Sequence, residues 1–303
     1  MGDYKLFQYG ENGVSELSGN FSEYERDLQA LMETNLEAFL GVRLLAHEHG
    51  TGKSQRGHID TLGLDENGCP VIIEFKRRSN ENVITQGLYY LDWLLDHQAE
   101  FTALVEKRLG RMEAAKIEFS WPRIICVASE FSRYDERAVA QIDRSVELVR
   151  YKLFGDGLIL LEMVNSSLAP FMTGELPQAQ GGDSVGMPVS LQSRIKAMNA
   201  DVERLYLDLL AFGESLGEDV SIKFLKHYIA MTRFKNFTCV QPSRTLLKVW
   251  LNLDPDDIPL EDGFSRDVRE VGHHSTGNVE INLRKAADFE RVKPLIELAY
   301  NRN

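Results

Sequence analysis

The segment GHIDTLGLDENGCPVIIEFKRR, residues 57–78, constrains this chain more than any other stretch. Asp65-Glu66-Asn67-Gly68-Cys69 is a hairpin signal, a short polar turn in which Gly68 is free to take positive φ. If Asp65 pairs with Cys69, Leu62 faces Ile72, Asp60 faces Glu74 and Ile59 faces Phe75. Side chains alternate along a strand, so Glu74 and Lys76 share one face while Ile73 and Phe75 share the other. Two carboxylates then oppose each other, with Cβ atoms about 5 Å apart, on strands that are otherwise apolar. Such a pair repels, and one member must keep a proton unless a cation separates them. Hard oxygen ligands in a partly hydrated site suit Mg²⁺ or Mn²⁺. Lys76, two residues on, is spaced to hold an attacking water or a phosphate oxygen. An isolated Glu-x-Lys is most often a solvated pair on a sheet edge. Here the preceding strand carries Asp60 and both strands are apolar, which favours a site.

Around this hairpin the chain alternates strands and helices. A short strand and turn occupy 4–13, and a helical pattern runs from Ser22 to about Leu40 with capping-box spacing between Ser22 and Glu25. Strands are expected at 42–47, 57–65 and 71–76. Two helical stretches follow over about 80–115, then a buried strand at 123–129, a helix at 134–145 and a buried strand at 157–164. The pattern predicts an α/β fold, a mixed sheet flanked by helices, over residues 1–165. Residues 166–190 are rich in Pro, Gly, Ser and Gln and read as a linker. Beyond it, 191–303 reads as a smaller α+β domain: a helix at 191–216, strands near 227–233, 236–241, 245–253 and 279–283, and a closing helix at 286–300.

An aspartate strand, then Glu-x-Lys on the next antiparallel strand, then a helix bearing Gln86 and Tyr90, resembles the PD-(D/E)XK nuclease superfamily, and the hairpin is most similar to its RecB-like and NucS-like branch. The likeness covers roughly residues 20–165 and implies a restriction-endonuclease-like sheet. It implies that Asp60 and Glu74 hold Mg²⁺ or Mn²⁺ with help from the Phe75 carbonyl, that Lys76 is the catalytic lysine, and that Gln86 sets the lysine or a water. The superfamily often adds a glutamate from the first helix; Glu25 is the candidate, with Glu33 and Glu37 as rivals. Ile59 stands where Pro precedes the aspartate in the family's name motif, and the nuclease-like part comes first in the chain, unlike the NucS order. The implied activity is a cytoplasmic, metal-dependent deoxyribonuclease that binds DNA in preference to RNA and acts in repair, restriction or phage defence. A homodimer is compatible with it. The alternatives are a nucleic-acid-binding module that does not cut, or an interaction protein acting through its C-terminal domain.

Other signals weigh less. GTGKS at 50–54 imitates a phosphate-binding loop, but His47 stands where the first glycine belongs and a strand follows. Lys53 and Arg56 can still meet a phosphate backbone, as can Arg77 and Arg78 beyond the site. His47, His49 and His58 lack zinc spacing, and Cys69, Cys126 and Cys239 read as isolated thiols. A net charge of −12 argues against nonspecific coating of nucleic acid but permits a local basic stripe. No apolar run reaches membrane-spanning length. SRDVREVGHHSTGNVEINL resembles a bacterial domain sometimes labelled transport-related, and nothing fixes a role for His273 or His274.

Overall fold

A computed structural model of the chain describes residues 5–10, 13–21, 25–52, 56–76, 83–155, 157–167, 187–273 and 275–303. Most of the stretch read as a linker, together with Ser22, Lys53, Arg77, Arg78 and His274, lies outside these residues.

Strands β4 (Val42–Gly50), β5 (His58–Asp65), β6 (Pro70–Lys76), β7 (Arg123–Ala128), β8 (Ser145–Phe154) and β9 (Leu158–Ser167) form one mixed sheet. β4, β5 and β6 pair antiparallel, β6, β7 and β8 pair parallel, and β9 returns antiparallel on β8. A two-residue strand β3 (Gly19–Asn20) pairs with the far end of β8. Parallel neighbours need crossovers, and helices supply them: α3 (Val83–Asp96), α4 (Gln98–Leu109) and α5 (Arg111–Ala114) between β6 and β7, and α6 (Arg133–Val139) between β7 and β8. Leu62, Leu64, Ile72, Ile124 and Cys126 pack with α3 and α4 on one face. Val71, Ile73, Phe75, Ile125 and Val127 pack on the other face against α1 (Glu25–Thr34) and α2 (Leu36–Leu40). This is the expected α/β class, a large mixed sheet with helices on both faces.

Several details differ from the sequence reading. The single helix read over 22–40 is broken at Asn35, which turns its side-chain amide back onto the Leu31 carbonyl. The helix read over 134–145 stops at Val139, and β8 begins at Ser145 as an unread strand. Its charges obscured it: Glu147 is buried because the Arg123 guanidinium grips it from β7 at 2.8 Å through two nitrogens. Residues 158–164 of β9, read as buried, are exposed or half-exposed, since among the described residues β9 pairs with β8 alone.

The C-terminal unit places α7 (Val189–Lys196), α8 (Ala200–Ser215) and α9 (Ala286–Arg302) on an antiparallel sheet ordered β10, β11, β12, β13, β15, β14. These strands are Ser221–Phe224, Ile229–Thr232, Asn236–Pro242, Leu247–Leu251, Val279–Leu283 and Ser265–Asp267 in that order. Asn199 separates α7 from α8 by capping the latter, its side chain accepting the Val202 N–H. An N-terminal ribbon of β1 (Leu6–Gly10) and β2 (Gly13–Leu17) completes the described strands.

The two units meet at the hairpin turn. Asp65 accepts the N–H groups of Asn67 and Cys69 at 2.8 and 2.9 Å, and Gly68 takes φ 77°. Cys69 and Trp121 belong to the core of the C-terminal unit, where the Trp121 indole donates to the Phe224 carbonyl. Glu66 accepts the Asn236 N–H, and Asn67 bonds Asn236 and Tyr228. Beneath the turn, Asp65, Arg123, Glu147 and Lys223 are all buried, two acids against two bases. Burial, reinforced by Arg123, pulls the Lys223 ammonium below its ordinary value, while Asp65 pulls the other way.

Removing one partner of a buried charged set leaves an uncompensated ion and costs about 3 kcal/mol or more. Lys223→Met is therefore expected to destabilise the chain by about that amount in urea unfolding. Adding Asp65→Asn, which keeps an oxygen for the turn N–H groups and restores charge balance, should recover most of the loss. Equal stability of Lys223→Met and the parent would refute this account.

Candidate metal and nuclease site

β5 and β6 keep the expected register through Leu64↔Pro70, Gly63↔Val71, Leu62↔Ile72 and Thr61↔Ile73. There the pairing ends. The Asp65 N–H donates to the Cys69 carbonyl, so the odd-numbered positions of β5 make the hydrogen-bonded pairs. A regular ladder would next give the Phe75 N–H to Ile59. It goes instead to the Asp60 carboxylate, Oδ2, at 2.9 Å. The Asp60 N–H in turn donates to Glu74 Oε1 at 3.3 Å. The expected Ile59–Phe75 pair is thus replaced by a gap between the strands, filled by two carboxyl groups.

Glu74 is fully buried, flanked on β7 by Cys126 and attached to a strand with no other polar side chain before Lys76. Burial, with the Asp60 charge adding to it, pushes its carboxyl up to about 9. Asp60 is also raised, chiefly by burial, while the Phe75 N–H and the Lys76 charge pull it down. The two groups share a side-chain hydrogen bond, so one proton between them relieves their repulsion. Glu74 Oε2 is buried with no hydrogen-bond partner. Such an orphan oxygen beside a second carboxyl suits a hard cation. Among the described residues no three His, Cys, Asp or Glu side chains gather as a ligand cluster. Side-chain ligation would rest on Asp60 and Glu74, leaving other positions for a main-chain carbonyl such as that of Phe75, for water and for phosphate oxygens. Mg²⁺ characteristically keeps such a hydrated shell.

Lys76 projects at the end of β6 with its side chain 12% exposed, and its ammonium lies 3.5 Å from Glu25 Oε1. The helix α1 thus approaches the site through Glu25, Gln29 and Glu33, spaced one turn apart along one stripe. Glu25 meets the lysine. Gln29 donates both to the Asp60 carbonyl at 3.1 Å and to Glu33 at 3.0 Å. Glu33 accepts the Thr61 hydroxyl and so braces β5 from the opposite face. Glu37 is exposed on α2. Gln29 escaped the sequence reading, although its i, i+4 spacing from Glu25 and to Glu33 was a usable signal.

On α3, Gln86 directs its amide to the Tyr90 hydroxyl at 3.3 Å. Tyr90 is buried, and its ring lies against Gly57, where an added Cβ would fall 2.6 Å from a ring carbon. These two residues therefore support the entry to β5. Of the histidines, His58 is exposed, and His49 packs on Trp93 with an imidazole nitrogen 3.6 Å from Glu100. The three cysteines are free and buried. Among the described residues, no helix is long and apolar enough to cross a membrane.

Residues 192–303 match a family model described as a domain of unknown function, DUF5655. The whole chain is similar to a Haemophilus influenzae protein described as uncharacterized, at 27% identity over 301 residues, covering 97% of this chain and 99% of that one. Among solved structures, a repair endonuclease from Pyrococcus abyssi aligns with 43% of this chain and 48% of its own at a TM-score of 0.29 and 20% identity. An EndoMS–dsDNA complex aligns with 46% of this chain and 53% of its own at a TM-score of 0.26, again at 20% identity. This chain spans about half the length of each of these two structures.

The raised Glu74 carboxyl carries a consequence for stability. Its folded value of about 9 exceeds the ordinary 4.5, so between these values the folded chain holds a proton that the unfolded chain gives up. Without metal, stability should fall as pH rises through that window, since the unfolded state binds fewer protons. Glu74→Gln is expected to flatten this decline and raise Tm at pH 8 by a few degrees. Melting curves in chelator at several pH values test it; parallel curves for variant and parent would count against a buried, protonated Glu74.

Proposed function

We propose that this chain is a Mg²⁺- or Mn²⁺-dependent nuclease that hydrolyses phosphodiester bonds of DNA. The single observation that carries the reading is the parting of β5 and β6 at Asp60 and Glu74, which leaves two adjacent carboxyls, one with an orphaned oxygen. Lys76 stands beside them. A structural ion pair has no use for a buried second carboxylate, whereas a hard divalent cation binds both.

Asp60 and Glu74 would hold the ion, with the Phe75 carbonyl beside them. Bound there, the ion supplies Lewis-acid polarisation of a phosphate and lowers the pKa of water. The Lys76 ammonium orients the attacking water and offsets negative charge growing on the phosphate oxygens. Glu25 holds Lys76 in place. Gln29 fixes the Asp60 backbone, so the Asp60 carboxylate keeps its aim when the substrate arrives. The apolar surroundings of Glu74 limit water access and strengthen each of these interactions.

The test is incubation of the whole chain with Mg²⁺ or Mn²⁺ and linear, single-stranded, branched and mismatched DNA, with RNA as a comparison, beside Lys76→Ala and Asp60→Asn. Loss of metal-dependent cutting by about a hundredfold or more in each variant is the expected result. Binding without cutting by the parent would favour a recognition module. Cutting that survives in both variants would place the chemistry elsewhere.

A further inference from the structure

We propose that the C-terminal unit binds a small molecule bearing one oxyanion, a carboxylate or a phosphate, in the cavity walled by Lys248, Trp250, Arg266, His273, Ser275 and Glu280. The cavity measures about 190 Å³. That is below the roughly 300 Å³ at which sites for drug-sized ligands begin, so its occupant is compact. Asp60, Glu74 and Lys76 contribute nothing to these walls, and the proposal stands apart from the nuclease reading.

The sheet of this unit has one face toward its helices and one away from them. Met231 lies against Gly213 of α8, where an added Cβ would fall 2.4 Å from the Met231 sulfur. Alternation and register therefore turn Ile229, Val240, Val249 and Ile281 toward the helices. Their neighbours Ala230, Cys239, Trp250, Glu280 and Arg266 form a row across the other face. Trp250 and Glu280 are nonetheless only 4% exposed. His273 covers the indole, its ring 5.8 Å away and within 2° of parallel. The two imidazole nitrogens lie 2.7 and 3.1 Å from the Val271 and Gly277 carbonyls, so the ring is fixed by main chain on both sides. Tyr228 closes another wall, and its hydroxyl donates to Asn67 of the hairpin turn.

Two donors on these walls lack an acceptor. Trp250 Nε1 and Ser275 Oγ are both buried and, among the described residues, have no hydrogen-bond partner. An indole N–H can only donate, and a buried donor left unpaired calls for an acceptor that the chain does not supply. Two bases stand on the same walls. Arg266 Nε donates to Glu280 Oε1 at 2.9 Å, and Lys248 Nζ lies 3.7 Å from Glu280 Oε2. Glu280 thus holds both bases while cancelling one of their charges, which leaves the set one positive charge in excess. Two orphaned donors beside a net cation fit an oxyanion: its oxygens accept, its charge balances, and the guanidinium keeps further N–H groups to offer it. A water would accept from the donors but leave the charge unbalanced.

The test follows the indole N–H signals of the ¹⁵N-labelled whole chain in chelator, at constant ionic strength, as inorganic phosphate, acetate or a deoxynucleoside monophosphate is added. Trp250→Phe identifies one signal, and those of Trp93 and Trp121 serve as internal references. A saturable shift of the Trp250 signal alone is expected with at least one of the three, together with a rise in Tm. The arms tell a carboxylate from a free phosphate and from a phosphate on a larger body. Lys248→Gln, at a side chain 38% exposed and outside the core, should weaken the same titration about tenfold. Trp250→Phe should melt cooperatively but lose most of the ligand-induced rise in Tm. A Trp250 signal that none of the three moves overturns the proposal, as does a shift that never saturates or is unchanged in Lys248→Gln. Either result leaves the nuclease reading standing, since its own test reads cutting at a different set of side chains.

Discussion

Two carboxyl groups brought together inside a sheet repel each other, and the rest of this molecule is arranged around keeping them there. Left alone, strands β5 and β6 would separate such side chains or expose them. They stay because hydrogen bonds that should run between the backbones are diverted onto them: Phe75 N–H to Asp60, and Asp60 N–H to Glu74. Gln29 holds the Asp60 carbonyl from one helix, and the apolar strand β7 closes the other side. A proton held between the two carboxyls relieves their repulsion, and burial keeps it on Glu74.

The hairpin was legible because three independent rules agree on it. Turn chemistry fixed Asp65 and Gly68, alternation fixed the faces, and the opposed acids then followed by counting; the pairs from Leu64↔Pro70 to Thr61↔Ile73 match that count. What counting could not show is where the ladder stops. That depends on which group captures the Phe75 N–H, a competition between a backbone carbonyl and a side-chain carboxylate that alternation does not weigh. β8 was missed for a related reason: Glu147 and Arg150 look like surface residues until Arg123 and Glu162, distant in sequence, neutralise them. Long-range pairing of charge is invisible to a pattern read locally.

The same limit explains the candidate site residues on helices. Glu25 was within reach of reasoning from the first helix, and it does meet Lys76. Gln86 and Tyr90 share a helix face as their spacing requires, yet the face they share looks onto Gly57. Spacing on a helix tells which residues are neighbours. It does not tell what lies opposite, and that is decided by how α3 crosses the sheet.

One hairpin reaches from the carboxyl pair at its open end to Asp65, Glu66 and Asn67 at its turn, and the turn is sunk into the second unit's core through Cys69. The two units are therefore not beads on a string. A chain cut between them would bare Cys69 and Trp121 and strand Asp65 and Glu147 with a single counter-charge, so the C-terminal unit is a structural partner of the hairpin as well as a neighbour. Grafting a different second domain onto this sheet would require rebuilding the seat of that turn first.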